Sequence, residues 1–386
     1  MGKASVIAIF CAAILFSLGL VMVFNTTAAE ALDRNLPLES HYALVKQLIF
    51  AAIGLLGALL SWWLGYHNII RLSPYFLVFT ILFLIAVFIP SIGQEFNGAK
   101  RWISIAGYTF QPSEIAKYTM PIYFIMRFIE RKAPLEFWDL IKLLIPLSIP
   151  LGLIFLEPDN GTTFIITCSF IMLFVMMGVR LKYWAIPLIV LLLVGGVVAW
   201  NMPHVSDRIT IYLHPEKDLL GKGHQPHQAK IAAGSGQLFG RGLGESLQKF
   251  NYLPEARSDY IAAIYAEEFG FIGMLFLMAL YLSLAIAGFM VAAKANDLEG
   301  FYLASLITFL ITFQAFLNLG VVSGLLPSKG TTLPFFSLGG SSLLINITAL
   351  CILINIETKA RKIARNEISK NYRYQLRRDK RASAAR

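Results

Sequence analysis

Charged residues are scarce in this chain, and their scarcity is the first constraint on its class. Only 15% of the 386 residues are Asp, Glu, Lys or Arg, while 57% are hydrophobic. Soluble domains average about a quarter charged residues. Apolar stretches of roughly 18 or more residues recur along the whole length, which is typical of a bundle of membrane-spanning helices. The composition therefore favours a polytopic membrane protein over two or three soluble domains.

Several chemical motifs are also missing. The three cysteines, Cys11, Cys168 and Cys351, fall inside apolar stretches without the spacing of a disulfide framework. The chain has no G-x-x-x-x-G-K-[ST] phosphate loop, and its predicted outer loops have no carboxylate pair of the D-x-D kind. Ser246-Leu-Gln-Lys249 matches S-x-x-K, but neither S-D-N nor K-T-G accompanies it. These absences argue against disulfide scaffolds, P-loop enzymes and penicillin-binding transpeptidases.

The apolar stretches predict an all-α polytopic membrane protein with about ten transmembrane helices. Backbone groups in hydrocarbon must find their hydrogen bonds within the protein, so each spanning stretch is expected to be helical. The eighth stretch is long enough to be tilted or to extend beyond the bilayer. The predicted spans are Ala4–Phe24, Leu44–Leu64, Ser73–Ile89, Ser113–Phe128, Leu140–Leu156, Thr162–Val179, Tyr183–Asn201, Tyr260–Ala293, Tyr302–Leu326 and Phe336–Ile356.

Lys and Arg in the short loops predict the orientation. With the N-terminus inside, most short-loop cations fall on the cytoplasmic side, as the positive-inside rule requires. Both termini are then cytoplasmic, and one large loop, 202–258, is extracytoplasmic between spans 7 and 8. We expect a single transmembrane domain, 1–358, and a basic tail, 359–386, that contacts anionic lipid head groups. Lys100 and Arg101 are the main exception on the outer side, which indicates a functional need for cations there.

Three acids stand where the large outer loop runs into the eighth span. They are Asp259, Glu267 and Glu268. A carboxylate at this junction can cap the following helix, or it can remove a proton from a molecule bound at the membrane surface. One of the acids could also hydrogen-bond between helices. Ionisable residues near the membrane are costly and usually functional, so a purely structural role for all three is disfavoured.

A second polar segment, residues 97–117, leads into the fourth span. Pro112 suits the first turn of a helix, and Glu114 lies near the positive end of the helix dipole. Glu114 and Lys117 are three residues apart, so they share a face and can pair within the membrane. Two interpretations stay open: a helix-start cap with a structural ion pair, or charges that face a functional cavity.

Glycine gathers in two outer segments. The run Gly234–Gly244 predicts tight turns or close backbone approach to a ligand. Just before it, His224 and His227 have a spacing that metals use, although ordinary loop histidines are the simpler interpretation. The segment 324–342 contains two prolines and several glycines, so it cannot be regular helix throughout. It is either the wall of a lipid-side groove or a tight hairpin, with Lys329 as its charge and Gly339, Gly340 and Ser341 at its end.

At these segments the chain resembles the SEDS family, named for shape, elongation, division and sporulation. The matching motifs occur in the family's order and spacing over nearly the whole chain. Two segments, Gly242–Lys249 and Pro327–Pro334, are closer to the division members than to the elongation members. The motifs are Asn97-Gly-Ala-Lys-Arg-Trp102, Gln111-Pro-Ser-Glu-Ile-Ala-Lys117, Pro158-Asp-Asn-Gly-Thr162, Leu253-Pro-Glu-Ala-Arg-Ser-Asp259, Glu267-Glu-Phe-Gly270 and Gly339-Gly-Ser-Ser342.

The resemblance implies a peptidoglycan glycosyltransferase that polymerises lipid II on the outer face of the bacterial inner membrane, at the division septum. The family's essential aspartate falls on Asp259, which we expect to be the catalytic base. Its intramembrane Glu and Lys fall on Glu114 and Lys117, and its loop arginine falls on Arg101. Conversion of an α-linked lipid sugar into a β-link implies single displacement with inversion, so no covalent nucleophile is required.

The leaving pyrophosphate needs positive charge as its bond breaks. The candidates to contact the substrate on the outer side are Arg101, Lys100, Lys117, Arg241 and Lys329, together with the acids Glu114 and Glu255. No resident metal or cofactor is predicted, and any divalent cation would be held partly by the pyrophosphate. The resemblance implies a class B penicillin-binding transpeptidase and other divisome proteins as partners, and nothing in the chain indicates nucleic acid. The alternatives are a lipid II flippase and a non-catalytic division scaffold.

Overall fold

The fold is a bundle of helices with one small sheet. The computed structural model describes residues 2–33, 39–96, 99–105, 107–131, 135–200, 223–250, 253–327 and 330–384. In chain order the elements are α1 (Lys3–Asp33), α2 (Glu39–Leu64), α3 (Tyr66–Arg71), α4 (Ser73–Val87), β1 (Gly93–Phe96), β2 (Ala99–Ile105), β3 (Tyr108–Phe110), α5 (Pro112–Ile129), α6 (Phe137–Leu156), α7 (Asn160–Met176), α8 (Leu181–Trp200), α9 (His224–Ser235), α10 (Ile261–Ala293), α11 (Leu298–Val322) and α12 (Gly340–Ala384).

Each predicted span coincides with a helix. Within the described ranges, six helices are long and apolar enough to cross a membrane, namely α1, α2, α6, α10, α11 and α12. Helices α4 and α7 are apolar but shorter. Helix α5 has 18 residues, of which Glu114, Lys117 and Arg127 are charged. The last helix continues unbroken through residue 358, where the sequence predicted the domain to end and the tail to begin.

Helices α10, α11, α12 and α5 form the interior of the bundle. Helix α11 lies along α10, and α2 lies along α12. On the outside, α1 packs on α10 and α4 packs on α5. Most of one α5 surface and nearly all of the first three turns of α10 are buried. The polar residues on these inner helices are therefore shielded from lipid by their neighbours.

A three-stranded antiparallel sheet, which the sequence did not predict, covers one end of α4 and α5. Strand β2 lies in the middle, with Glu95 of β1 opposite Lys100 and with Ile103 opposite Phe110 of β3. The strands have only three to seven residues. This sheet places Arg101 and Lys100 on a hydrogen-bonded strand instead of a loose loop.

The unusual length of the eighth span has a local cause. Helix α10 is broken at Gly270, whose backbone angles (φ 66°, ψ −164°) are not helical. The backbone groups freed by the break bond to the glycine-rich segment: Phe271 N donates to Gln237 O at 2.9 Å, and Arg241 N donates to Glu267 O at 3.0 Å. The first part of the helix, through Glu267 and Glu268, is thus held inside the protein.

The glycine-rich segment makes a close backbone approach, as predicted, but to α10 instead of a ligand. A Cβ at Gly236 would lie 2.0 Å from the carbonyl oxygen of Ala266, well inside van der Waals contact. The φ of Gly236 is −70°, which any residue can adopt. Lack of space alone therefore requires glycine at this position.

Candidate active site

Asp259 lies in the turn immediately before α10. The N-cap position of α10 is Tyr260, and no side chain caps the helix start. The proposed capping role of Asp259 is therefore not what the structure favours. The side chain is half-buried, and a Cβ built on Gly330 would be 3.1 Å from its Oδ2 atom. The carboxyl of Asp259 thus faces the irregular segment between α11 and α12.

The part of that irregular segment from residue 331 to residue 337 is mostly buried, and its backbone is hydrogen-bonded within the segment and to neighbouring helices. Leu333 N donates to the Ser337 hydroxyl at 2.8 Å, and Tyr281 donates to Pro334 O at 2.6 Å. Leu338 N donates to Arg257 O at 3.0 Å, which ties the segment to the turn before Asp259. Of the two predicted alternatives, a tight hairpin does not describe it, because it is a buried segment packed beside Asp259.

A second carboxylate, Asp159, organises the other side of the site. It is 2% exposed and forms the N-cap of α7, accepting from Thr162 N at 3.2 Å. Its Oδ2 accepts from Ser113 Oγ at 2.8 Å and from the Gln111 side chain at 3.0 Å. The Gln111 backbone N–H in turn donates to Ser341 at 2.9 Å. Asp159 therefore joins the starts of α5, α7 and α12.

Arg101 holds the turn that carries Asp159. Its Nε donates to Glu157 O at 3.1 Å, its Nη2 donates to Pro158 O, and its Nη1 is 4.0 Å from Asp159 Oδ1. This turn adjoins the Asp259 side, since a Cβ on Gly161 would be 3.3 Å from Thr331. The guanidinium is only 22% exposed. The hydrogen bonds therefore hold the guanidinium of Arg101 in a fixed plane beside the site.

The electrostatics of the site weaken the acidity of two carboxyls. Burial, followed by the negative charge of Glu255, raises the pKa of Asp259 to about 7, and Asp159 adds to the effect while Arg101 opposes it. Burial and Asp159 raise the pKa of Glu157 to about 8, again opposed by Arg101. Glu157 is 1% exposed, and neither of its carboxyl oxygens has a hydrogen-bond partner among the described residues. A carboxyl with a pKa near 7 is a competent base at neutral pH.

Glu114 and Lys117 form the ion pair that their spacing predicted. Lys117 Nζ is 2.7 Å from Glu114 Oε2, and both side chains are at least 90% buried. The ammonium also donates to Gln314 at 2.6 Å, and Gln314 donates to Thr332 O at 2.8 Å. The N-cap position of α5 is Gln111, so Glu114 does not cap the helix. Pro112, at the first helical position, begins α5 as expected.

The acids Glu267 and Glu268 stabilise the loop that precedes α10. Glu267 accepts from the Ser246 hydroxyl at 2.6 Å, and its Oε1 is 3.5 Å from Arg241. Glu268 accepts from Asn25 of α1 at 2.7 Å and from Lys249 at 3.2 Å. Arg241, Ser246 and Lys249 thus belong to this structural cluster.

The remaining candidates have simpler positions. Lys100 is exposed on β2, and Glu255 is exposed with its carboxylate accepting from Ser258 at 2.7 Å. Gly339 and Gly340 lead into α12, where added Cβ atoms would collide with Thr332 and Phe50. Lys329 lies outside the described residues. Within the described ranges no group of three or more metal-binding side chains is close enough to hold an ion, and this includes the region around His224 and His227.

Sequence reasoning missed the residues that hold the two sides together. The sequence shows Asp159 only as part of a family motif, and Gln314 and Asn318 lie within an apolar span. Asn318 donates to Asp259 O at 2.8 Å and to Thr331 O at 2.7 Å. The available signal was their spacing: two amides four residues apart share a face of an otherwise apolar helix.

The fold and the site define a polytopic membrane protein with a buried polar centre between its helices and an acid–cation pair at one end. The family FTSW_RODA_SPOVE, described as "Cell cycle protein", matches residues 5–362. The chain therefore belongs to this family, which is the SEDS family that its motifs resemble. It is accordingly a multi-pass protein of bacterial membranes.

Curated relatives of similar length agree with this assignment. A "Probable peptidoglycan glycosyltransferase FtsW" from Nitrosomonas europaea is 38% identical over 361 residues, covering 90% of this chain and 91% of the relative. Another protein of that name, from Trichlorobacter lovleyi, is 36% identical over 350 residues, covering 89% and 90%. "Stage V sporulation protein E" of Bacillus subtilis is 36% identical over 356 residues, covering 90% and 95%.

Solved structures have the same fold. One chain, from a study of polymerization and crosslinking by a peptidoglycan synthase complex, superposes with a TM-score of 0.73 at 25% identity, covering 92% of this chain and 97% of the other. The rod shape determining protein RodA of Thermus thermophilus superposes with a TM-score of 0.66 at 23% identity, covering 92% and 96%.

Proposed function

We propose that the protein is a peptidoglycan glycosyltransferase that polymerises lipid II, with Asp259 as its general base. The observation that carries the proposal is the environment of Asp259. Its half-buried carboxyl faces Gly330, has a pKa raised to about 7, and lies across from the turn that Arg101 holds. The relatives named as probable peptidoglycan glycosyltransferases support the choice of reaction.

The first step of the proposed reaction is deprotonation of a sugar hydroxyl. A hydroxyl is a weak nucleophile until a base takes its proton, and a positioned base contributes roughly 10²–10⁴ in rate. The oxygen then attacks the anomeric carbon of the second lipid-linked sugar, forming the β-glycosidic bond as the bond to pyrophosphate breaks. The proton resides on Asp259 and the leaving group departs as undecaprenyl pyrophosphate, so one displacement with inversion is sufficient.

Arg101 and Lys100 are the cations we propose for the pyrophosphate. Two nitrogens of Arg101, Nε and Nη2, fix the plane of its guanidinium, so Nη1 is the donor that we propose for a phosphate oxygen. Lys100 is the neighbouring exposed cation in the same strand. Lys329, next to Gly330 in sequence, remains a candidate. We do not propose direct contacts for Lys117 and Arg241, because Glu114 and Glu267 already engage their charges. The proposal assigns no resident cofactor, and a divalent cation would arrive with the substrate's pyrophosphate.

We propose that this chemistry takes place on the outer face of the inner membrane at the division septum. The proposed topology has ten spans, both termini in the cytoplasm and the loop 202–258 outside. The partner would be a class B penicillin-binding transpeptidase, which cross-links the new strands. In support, the similar chain at 25% identity comes from a peptidoglycan synthase complex.

The test uses the full-length protein with its transpeptidase partner, labelled lipid II and the variant Asp259→Asn. Wild type is expected to make glycan strands, and the variant, which keeps the shape but cannot accept the proton, is expected to lose at least 100-fold of the rate. Strand synthesis that survives in Asp259→Asn would remove the base assignment. If wild type makes no strands yet moves lipid II between leaflets of vesicles, the protein is a flippase instead.

A further inference from the structure

A cavity lies where α5 and α7 end and where α6 and α8 begin. Its volume is about 610 Å³, within the range of roughly 300–1,000 Å³ typical of ligand pockets. The residues lining it that matter here are Arg131, Arg180, Tyr183, Trp138 and Glu136. None of them takes part in the site around Asp259.

The guanidinium groups of Arg131 and Arg180 have N–H donors that are available to a ligand in the cavity. Arg131 donates through Nη2 to Asp139 at 2.6 Å, but its buried Nε has no hydrogen-bond partner among the described residues. Arg180 is exposed and donates to the Tyr183 hydroxyl at 3.2 Å, with its guanidinium 5.9 Å from the ring centre. No ion pair with an acid is formed by Arg180 in the described part of the chain. Unused guanidinium donors next to an open volume suit an anion with several oxygens.

One further cation, Lys182, lies beside the cavity, whose lining contains a single acid, Glu136. Lys182 Nζ lies 5.6 Å from the centre of the Tyr183 ring, which Arg180 also approaches, at 5.9 Å. Asp139 is occupied by Arg131, so Glu136 is the acid that remains to oppose an incoming anion, and its backbone and side chain are engaged in the capping box of α6. The net charge around the cavity therefore favours an anionic ligand.

Large apolar side chains are exposed beside the cavity, at the starts of α6 and α8. Trp138, which lines the cavity, is 70% exposed, and Leu181, next to the lining residue Arg180, is 65% exposed. Tryptophan is enriched where a membrane meets water, with its ring at head-group level. A ligand with an anionic head and apolar tails would place the head on the arginines and the tails along Trp138 and Leu181.

We propose that this cavity, lined by Arg131, Arg180 and Tyr183, binds the phosphate head group of an anionic phospholipid. Basic pockets between spanning helices are the sites at which such head groups are held. The occupant is a bilayer lipid and not the lipid-linked sugar, because the cavity belongs to the helix ends that carry the predicted cytoplasmic cations. The proposal does not depend on the reaction assigned to Asp259.

Native mass spectrometry of the full-length protein in detergent tests the proposal, with phosphatidylglycerol and phosphatidylcholine as the probes. Wild type is expected to retain phosphatidylglycerol in preference to phosphatidylcholine. Arg180→Gln should weaken this retention about fivefold, the equivalent of about 1 kcal/mol for one basic residue near lipid phosphate. Arg180→Lys keeps the charge without the planar fork, so its retention of phosphatidylglycerol should lie between those of wild type and Arg180→Gln.

The matched control is Arg127→Gln, which removes one charge from the same end of α5. Arg127 is 49% exposed, pairs with Glu130 and does not line the cavity, so its loss should leave phosphatidylglycerol retention unchanged. Equal weakening in both variants would reduce the effect to general surface charge and overturn the site. Displacement of the lipid by inorganic phosphate alone would overturn it in favour of a free anion.

A protein segment as the occupant is the remaining outcome. If Arg180→Gln retains phosphatidylglycerol normally but no longer co-purifies with the transpeptidase, the cavity is a protein docking site and the proposal fails. Because Arg180 is exposed, the variants are expected to fold. Unchanged thermal unfolding and unchanged strand synthesis in detergent would confirm that a loss of lipid is local.

Discussion

The side-chain amide of Asn318 donates a 2.8 Å hydrogen bond to the backbone carbonyl of Asp259. The same nitrogen donates to Thr331 O at 2.7 Å, and Asn318 is only 1% exposed. One buried amide thus fixes the backbone of the proposed base and that of the facing segment at once. Neither carbonyl can turn to water, so the position of the Asp259 carboxyl depends on helix α11.

Asn318→Ala is therefore expected to slow strand synthesis without removing any group that touches substrate. Two buried carbonyls lose a donor, each at a cost of about 1–3 kcal/mol, and a shift of Asp259 should lower kcat roughly 10- to 100-fold. Thr312→Val is the control on the same helix, since its hydroxyl bonds only within α11. Initial rates with labelled lipid II measure both, and equal activity of the two variants would contradict the positioning role.

The pH dependence of activity should follow the ionisation of Asp259. The base must be deprotonated, and its pKa is raised to about 7, so the rate should rise with pH through about pH 7 and then level. Glu255 contributes to that rise in pKa, so Glu255→Gln should move the inflection to lower pH. Rates measured from pH 5 to 9 test this. If the inflection stays at the same pH in Glu255→Gln, the pH–rate profile does not report the ionisation of Asp259.

The same ionisation should lower the stability of the folded protein. The pKa of Asp259 is raised from 3.8 to about 7 on folding, so its favourable contribution is complete below pH 4 and is lost as pH rises toward 7. Asp259→Asn removes the charge, and we expect it to unfold at a higher temperature than wild type at pH 8 and at nearly the same temperature at pH 4. A variant that is less stable at pH 8 would show that the carboxylate is favourably bound.

The buried pair of Glu114 and Lys117 should be far more sensitive than an exposed pair on the same helix. Glu114→Gln leaves a buried ammonium without its counter-charge, a change that typically costs about 3–5 kcal/mol. Arg127 and Glu130 have the same spacing but are about half exposed, so Glu130→Gln should cost at most about 1 kcal/mol. Thermal unfolding in detergent measures both, and similar losses would mean that lipid or water screens the buried pair.

Two glycines separated by one residue should respond oppositely to alanine. A Cβ at Gly236 would lie 2.0 Å from Ala266 O, whereas nothing lies within 4 Å of a Cβ at Gly234 in α9. Gly236→Ala should force the loop away from α10 and destabilise the protein. Gly234→Ala should stabilise it by about 0.5–1 kcal/mol, because alanine is the better helix former. Unfolding temperatures compare them, and equal effects would contradict the close packing at residue 236.

The sequence predicts well the features that depend on residues close together in the chain, such as continuous apolar stretches and pairs of charges on one helix. Each of the ten predicted apolar spans overlaps a helix of the described residues, because a bilayer leaves the backbone few alternatives. The pair of Glu114 and Lys117 follows from a spacing of three residues on one helix, and the structure contains it. Asp259 was found because an acid beside a membrane is rare enough to need a reason.

The missed features depend on contacts between distant parts of the chain. Asn318 lies 59 residues from Asp259 in sequence, and no local pattern connects them. The strands β1 to β3 are too short and too mixed in composition to show the alternation of apolar and polar residues that indicates a strand. In the sequence, Gly270 cannot be told from an ordinary glycine within a helix. The helix breaks there because the segment around Gly236 packs beside it and supplies hydrogen bonds to the freed backbone groups.

The partners of Glu268 have a consequence for the order in which the protein is assembled. Asn25 and Lys249 both precede Glu268 in the chain, by 243 and 19 residues. Both are therefore already synthesised when α10 emerges from the ribosome, and the acid need never enter the membrane as an isolated charge. Lys249 can neutralise it first, as its near neighbour in sequence, and α1 then completes the contact from the other end of the chain.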